Sequence, residues 1–261
     1  RIDSDVLKER IIFSVSQSDA SRSEDWLLDI ARDNGEAMEL RENAVFWLGQ
    51  RESQAAVTAL ASVLMEEGPE LQEKAVFALS QQGSSRAMQL LRDVIGDSDI
   101  SSGTREQAIF WLGQEGSSED VTFLMDLYDE IHDRDLKEKV IFAVSQNSDR
   151  DGDEWLLSLA RDENEAVDLR KNALFWVGQE GDIDAAELRE LYNDAAEFEL
   201  KEHVIFVLSQ CDDGDAVDEL MDIARNETNT DLRDKAIFWL GQSDDERAAE
   251  FLAELINRPT R

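Results

Sequence analysis

Eight near-copies of one eleven-residue phrase recur every 31 to 33 residues along the chain. They read LKERIIFSVSQ (7–17), LRENAVFWLGQ (40–50), LQEKAVFALSQ (71–81), TREQAIFWLGQ (104–114), LKEKVIFAVSQ (136–146), LRKNALFWVGQ (169–179), LKEHVIFVLSQ (200–210) and LRDKAIFWLGQ (232–242). A fixed period in this range is the signature of a solenoid, in which each unit buries its apolar face only against its neighbours. Length is then no guide to domain count, and residues 1–261 read as one continuous repeat domain.

Each phrase has helical spacing. In LRENAVFWLGQ, Leu40, Ala44, Trp47 and Leu48 fall at i, i+4, i+7 and i+8, one face of a helix. Gly, Ser, Asp and Asn residues follow, at Ser21–Ser23, Gly116–Ser118, Asp151–Asp153, Gly181–Asp184, Asp212–Asp215 and Ser243–Asp245, where they suit a turn and a helix N-cap. A second amphipathic stretch then begins, such as EDWLLDIAR (24–32), AAVTALASVLM (55–65), EDVTFLMDLY (119–128) or RAAEFLAELI (247–256). The only prolines, Pro69 and Pro259, lie near loops or ends and leave these stretches free to be helical. Each unit therefore reads as a helical hairpin and no segment reads as a strand. The expectation is eight hairpins, about sixteen helices, with Trp47, Trp111, Trp176 and Trp239 largely buried.

The pattern of an aliphatic residue, Arg or Lys, an Ala four residues after the first, and a closing Leu-Gly resembles the HEAT-like repeats of the bacterial type first associated with phycobilisome lyases. Leu40-Arg41, Ala44 and Leu48-Gly49 carry it, as do Leu169-Arg170, Ala173 and Val177-Gly178, and Leu232-Arg233, Ala236 and Leu240-Gly241. The resemblance covers essentially the whole chain. It implies a right-handed, all-α solenoid in which the phrase is the second helix of each hairpin and lines the concave, inner side. That family spans scaffolds, adaptors and a few enzymes, so the fold alone assigns no function.

The repeats alternate. Trp-x-Gly-Gln stands at 47–50, 111–114, 176–179 and 239–242, while Ser14, Ala78, Ala143 and Val207 replace the Trp in the other four, which end in Ser-Gln. Large and small side chains in turn fill volume without clashes, so the unit is a two-repeat module of about 64 residues, two repeats at the sequence period. Residues 7–17 and 136–146 agree at eight of eleven positions, and Trp26 recurs at Trp155, which points to a further doubling. The chain opens on a phrase without a preceding first helix and its last repeat is no more polar than the rest, whereas solenoid ends carry polar caps; the expectation is a segment of a longer polypeptide, or another domain or chain that covers the N-terminal end.

Stacking turns positions into columns. One is aromatic: Phe13, Phe46, Phe77, Phe110, Phe142, Phe175, Phe206 and Phe238. Beside it on the helical wheel runs Gln17, Gln50, Gln81, Gln114, Gln146, Gln179, Gln210 and Gln242. These columns form either an apolar groove edged with amides, suited to an extended peptide or a partner helix, or a packed seam in which Phe plugs between neighbouring helices and Gln caps their ends. A basic column (Lys8, Arg41, Arg105, Lys137, Arg170, Lys201, Arg233) runs beside an acidic one (Glu9, Glu42, Glu73, Glu106, Glu138, Glu202, Asp234). Helices stacked about 8–10 Å apart would let a base of one repeat reach an acid of the next, giving a ladder of exposed pairs each worth less than about 1 kcal/mol.

With 60 acidic against 26 basic residues the net charge is −34. Such a surface repels phosphate backbones and anionic headgroups, which excludes nucleic-acid binding. The acids are spread through all repeats, and the chain has 7 lysines against 19 arginines. This even spread fits a salt-adapted proteome better than a dedicated cationic ligand, with a basic partner as the second reading. No apolar run is long enough to span a membrane. The chain opens with Arg1, so it reads as trimmed and its compartment stays unassigned.

Chemistry-bearing motifs are sparse. The single Cys211 allows no intrachain disulfide and reads as a small near-surface residue. The acid-rich segments SDRDGDEW (148–155) and CDDGDAVDE (211–219) hint at calcium, but Gly152 comes too early and Ala160 stands where an EF-hand needs Glu. HEAT-like hydroxylases hold iron on repeated His-Glu pairs, and neither His132 nor His203 is followed by Glu. No nucleophile–base pair, phosphate loop or nucleotide fingerprint stands out. The expected role is a non-enzymatic scaffold, without cofactor or metal, that offers its concave face to a protein or peptide; the rivals are a structural spacer and a lyase-type accessory subunit.

Overall fold

The computed structural model describes residues 4–257 apart from 19, 21, 116, 147–149, 181–182 and 212–213. The turn residues Ser21, Gly116, Gly181 and Asp212, the acids Asp149 and Asp213, and Pro259 lie outside the described residues. The chain groups into two compact units, residues 1–147 and 148–261. The first holds α1 (Asp5–Ser16), α2 (Ser23–Arg32), α3 (Met38–Gly49), α4 (Gln54–Glu66), α5 (Pro69–Ser80), α6 (Ser85–Gly96), α7 (Ser102–Glu115), α8 (Ser118–Tyr128) and α9 (Arg134–Ser145). The second holds α10 (Arg150–Arg161), α11 (Val167–Glu180), α12 (Ala185–Asp194), α13 (Phe198–Gln210), α14 (Gly214–Asn226), α15 (Thr230–Leu240) and α16 (Glu246–Asn257). Among the described residues every regular element is a helix, as the hairpin reading requires of an all-α repeat solenoid.

Within the first unit the phrase helices α1, α3, α5, α7 and α9 form one layer, each packed on the next, and α2, α4, α6 and α8 form the other. In the second unit α11, α13 and α15 form the phrase layer, and α12, α14 and α16 pack in series beside it. First helices pack more extensively on the phrase that follows than on the one before. Side-chain caps set several helix starts: Ser53, Ser84 and Asp184 accept from amides of α4, α6 and α12, and Asp133 and Asn229 do the same for the phrase helices α9 and α15. Two of the expected turns are helical instead. Asp151 and Asp153 lie in the first turn of α10, and Gly214 and Asp215 open α14, where acids complement the helix dipole.

The buried face of the phrase differs from the sequence reading. In α3 it consists of Leu40, Arg41, Ala44, Val45, Leu48 and Gly49, while Trp47 is only half-buried. Trp111, Trp176 and Trp239 are likewise neither exposed nor fully buried, so the four tryptophans are covered as expected but not sealed. The cause is that a phrase helix has three neighbours. Leu48 points at the first helices, Trp47 at the preceding phrase, and Gly49 at the following one; at about 100° per residue the last two stand about 160° apart. The buried arc is therefore broad, and Trp sits at its edge.

The alternation of large and small residues has a geometric role at the Gly side. A Cβ built on Gly49 would stand 2.7 Å from Ala78 Cβ, one on Gly113 2.6 Å from Ala143 Cβ, and one on Gly178 2.5 Å from Val207 Cγ1. The Gly of each Trp phrase that another phrase follows thus meets the small residue of that phrase. At the other seams Trp packs on the Phe of the phrase before it, at 5.4 Å between ring centroids for Phe13 and Trp47, 5.4 Å for Phe77 and Trp111, and 5.5 Å for Phe206 and Trp239. Close helix contact and aromatic contact alternate along each layer.

Candidate functional site

Opposite the buried arc, each phrase helix presents its Phe, its Gln, and the third and fourth residues of the phrase. The Phe column divides by phrase type at six of its eight positions, Phe13 and Phe175 being the exceptions. Phe46, Phe110 and Phe238, in Trp phrases, are 42%, 40% and 56% exposed. Each leans on its own Trp, at 5.1 Å. Phe77, Phe142 and Phe206, in Ser-Gln phrases, are half-buried, as is Phe175, while Phe13 on the terminal helix is 50% exposed. The rings therefore flank the seams without being sealed into them, and they form an apolar stripe in each unit.

Gln17, Gln50, Gln81, Gln114, Gln146, Gln179, Gln210 and Gln242 are all exposed. In the Ser-Gln phrases a local chain of hydrogen bonds holds the amide. Ser16, Ser80, Ser145 and Ser209 hydroxyls donate to the carbonyls of Phe13, Phe77, Phe142 and Phe206, and Gln17, Gln81, Gln146 and Gln210 donate to those hydroxyls. The helix-end caps expected of these glutamines come partly from the residue after them. Gln82 Nε2 donates to the carbonyls of Gly49 at 3.0 Å and Arg51 at 2.9 Å, and Arg51 donates to those of Ser16 and Ser18, so each closes the preceding phrase helix. One signal was available: the position is polar in these phrases although it follows the repeat.

The ladder of ion pairs exists with other partners than the two sequence columns. The acidic column pairs with lysines at the fourth phrase position: Glu42 with Lys74 at 3.7 Å, Glu106 with Lys139 at 3.7 Å and Glu202 with Lys235 at 2.6 Å. The basic column turns inward. Nε of Arg41, Arg105 and Arg170 donates to the carbonyls of Ala31, Ile95 and Ala160, which cap the preceding first helix. Arg41 and Arg170, 6% and 2% exposed, also pair with Glu67 and Glu197 in the next interhelical loop. Lys137 and Lys201 instead sit 4.4 and 4.8 Å from the rings of Tyr128 and Tyr192. The physical reason lies in the wheel: the second phrase position falls within the buried arc, so only a base that meets a carbonyl, a carboxylate or a ring fits there.

Each unit has a cleft on its phrase surface. In the first unit a cleft of about 880 Å³ is lined by Phe77, Phe110, Trp111 and Phe142 with Glu73, Lys74, Glu106, Gln107, Lys139 and Gly103. In the second unit a smaller one, about 230 Å³, is lined by Lys171, Glu199, Glu202, His203, Phe206, Lys235 and Trp239. There Lys171 and His203 occupy the positions that Glu42 and Lys74 hold in the first unit. Burial pushes the His203 imidazole down to about 4, and the Lys171 ammonium acts in the same direction, while a hydrogen bond to the Lys171 carbonyl and the Glu202 charge oppose it.

His203 is thus neutral in the folded chain where the unfolded chain, near 6.5, takes up a proton. The unfolded state binds more protons between pH 6.5 and about 4, so this group's contribution is present above 6.5 and is lost as pH falls through that window. The difference in urea midpoint between the wild type and His203→Gln is expected to shift against the wild type from pH 7 to pH 4.5. A difference that stays constant would show that His203 does not titrate in this way.

Cys211 is half-buried beside the Val207 carbonyl. Among the described residues no helix is long and apolar enough to cross a membrane.

The sequence profile of the HEAT repeats matches residues 24–102, 63–145 and 185–261, well over half of the chain. Comparison with curated proteins finds no match. Similar solved structures include Escherichia coli YibA (16% identity, 99% of this chain and 99% of that one, TM-score 0.49). Human deoxyhypusine hydroxylase in complex with glycerol is also similar (19% identity, 98% and 93%, TM-score 0.42). So is the complex of CpcE and CpcF of phycocyanin lyase from Nostoc sp. PCC7120 (17% identity, 98% and 91%, TM-score 0.41).

Proposed function

Because the chain belongs to the family of HEAT-repeat proteins, we propose that it is a non-enzymatic protein-interaction scaffold whose phrase-helix surface receives a protein or peptide partner. The observation that carries this reading is the exposure of the aromatic column, with Phe46, Phe110 and Phe238 open by 40–56%. A spacer has no use for such a stripe and would bury it, since every exposed ring forgoes about 25 cal/mol for each Å² of apolar surface left in water. The glutamines beside the rings offer amide donors and acceptors to a partner backbone. An aromatic centre with a polar rim is the usual anatomy of an interaction surface. The surface charge supports a protein over a nucleic acid as the partner.

The test is site-specific photo-crosslinking in extract of the native organism. Benzoylphenylalanine at Phe46 or Phe110 is expected to capture a discrete partner that the same group at Met65, an exposed residue of the first-helix layer, does not. Phe110→Asp should weaken that capture about tenfold or more, as loss of a central aromatic does. Capture only from Met65, or from no position, would turn the reading toward the spacer.

A further inference from the structure

The regular pattern of the phrase breaks most sharply at α7, and the break borders the larger cleft. Position 104 is Thr where the other seven phrases begin with Leu; position 103 is Gly where six of those seven are preceded by Glu or Asp; position 107 is Gln where α5, α9 and α15 carry Lys. Each change has a local consequence. Thr104 is fully buried and exchanges a 2.8 Å hydrogen bond with Ser101 at the start of the helix. Gly103 leaves the space beside Glu73 open, since even a Cβ there would only touch Glu73 Oε1, at 3.4 Å. Gln107 gives Glu73 an amide, at 3.3 Å, in place of an ammonium.

The equivalent seam of the second unit shows what Gln107 leaves undone. There the acid is Glu202, the fourth-position residue is Lys235, and the two pair at 2.6 Å. Lys74 and Lys139, the bases that line the larger cleft, are directed at Glu42 and Glu106. Among the described residues Glu73 is therefore a carboxylate without an ion pair, and it lines an aromatic recess. Phe77 and Phe110 lie 5.4 and 5.1 Å from Trp111, and Phe110 and Phe142 stack at 6.5 Å with their planes 5° apart.

Ring faces beside an uncompensated carboxylate are the chemistry that recognises an organic cation: the ring quadrupoles attract the charge while the carboxylate accepts its hydrogen bonds. We propose that this cleft is a pocket for a basic side chain, an arginine guanidinium or a lysine ammonium, carried by the partner polypeptide. The proposal rests on the scaffold reading and adds to it the residue class that the first unit selects. It draws on the local geometry at Glu73, and the charge of the whole chain only raises the encounter rate with such a partner.

The test uses the full chain and small probes. The indole resonance of Trp111, identified by its loss in Trp111→Phe, is followed by NMR during titration with Nα-acetyl-arginine amide, its uncharged analogue Nα-acetyl-citrulline amide, and Nα-acetyl-leucine amide. The arginine probe should shift the resonance saturably, with the citrulline probe about tenfold weaker, the loss expected for one charge-assisted interaction. Glu73→Gln should weaken the arginine probe to the same degree and leave the response to leucine unchanged. Equal binding of arginine and citrulline, a preference for leucine, or an arginine response untouched by Glu73→Gln would overturn the cation pocket, as would the absence of any shift. Crosslinking through Phe46 decides the scaffold reading separately, so the two can fail independently.

Discussion

Adding one methyl group at Gly113 is expected to lower the stability of the first unit by about 1–2 kcal/mol, the upper half of the net range that overpacking leaves after helix propensity. The new Cβ would stand 2.6 Å from Ala143 Cβ, 2.9 Å from its Cα and 3.1 Å from its carbonyl oxygen. Two of those atoms are backbone, so relief requires the α7 and α9 axes to part. Overpacking of this kind costs about 1–3 kcal/mol, against which the better helix propensity of Ala returns about 1 kcal/mol. Gly49→Ala meets the same arrangement at Ala78, slightly looser at 2.7, 3.0 and 3.3 Å, and should cost somewhat less. Gly178→Ala meets one side-chain atom of Val207 within 3 Å and should be the mildest of the three. Gly96, at the end of α6, has no atom within 4 Å of its would-be Cβ, and Gly96→Ala should be neutral or stabilising by up to about 1 kcal/mol. Removing the opposing methyl in Gly113→Ala/Ala143→Gly should restore only part of the loss, because the backbone contacts remain. Thermal and urea unfolding of the set check the order. If Gly113→Ala is as stable as Gly96→Ala, the seam is not as tight as its geometry implies.

This seam also marks how far the sequence could be read. The 31 to 33 residue spacing and the apolar positions of each phrase were enough for a helical-hairpin repeat, because only stacked amphipathic helices satisfy that period. The orientation of each helix was harder. A wheel drawn through Leu40, Ala44, Trp47 and Leu48 assigns Trp47 to the core, since hydrophobicity alone cannot separate a residue facing the other layer from one at the edge of a three-neighbour arc. Gly49 was visible as a family feature, yet its partner Ala78 is identified only by the packing. The same ambiguity misassigned Arg41. A charged residue next to an acidic one reads as surface, and only the position of the Ala31 carbonyl makes the interior acceptable to it. The Phe and Gln columns were legible as columns, while the openness of each ring is set by the packing around it and not by its place in the phrase. Glu73 was indistinguishable from the other acids until Gln107 and Gly103 were seen to leave it without an ammonium.

The melting temperature is expected to rise clearly between 0.01 and 1 M sodium chloride, because the two kinds of charge interaction respond differently to screening. The chain carries 60 acids and 26 bases, for a net charge of −34, so most carboxylates have no base to pair with. Their mutual repulsion acts across exposed surface. It is cut off as the Debye length falls from about 30 Å at 0.01 M to about 3 Å at 1 M. Several of the bases are held where salt reaches them least: Arg41 and Arg170 are buried, Arg92 pairs with Asp120 at 2.6 Å, and Arg51 with Glu24 at 2.8 Å, all with at least one largely covered partner. Screening therefore releases more repulsion than it costs in attraction. The exposed ladder of Lys74 with Glu42 and Lys139 with Glu106 is the part that weakens, and such pairs are worth less than about 1 kcal/mol each. Most of the rise should fall below about 0.3 M, where the Debye length changes fastest, whereas exclusion of salt from the surface would give a gain that continues to grow at higher concentration. A melting temperature that stays flat or falls over this range would mean that the acids are compensated locally, and that the lattice of pairs, not repulsion, dominates the electrostatics of this solenoid.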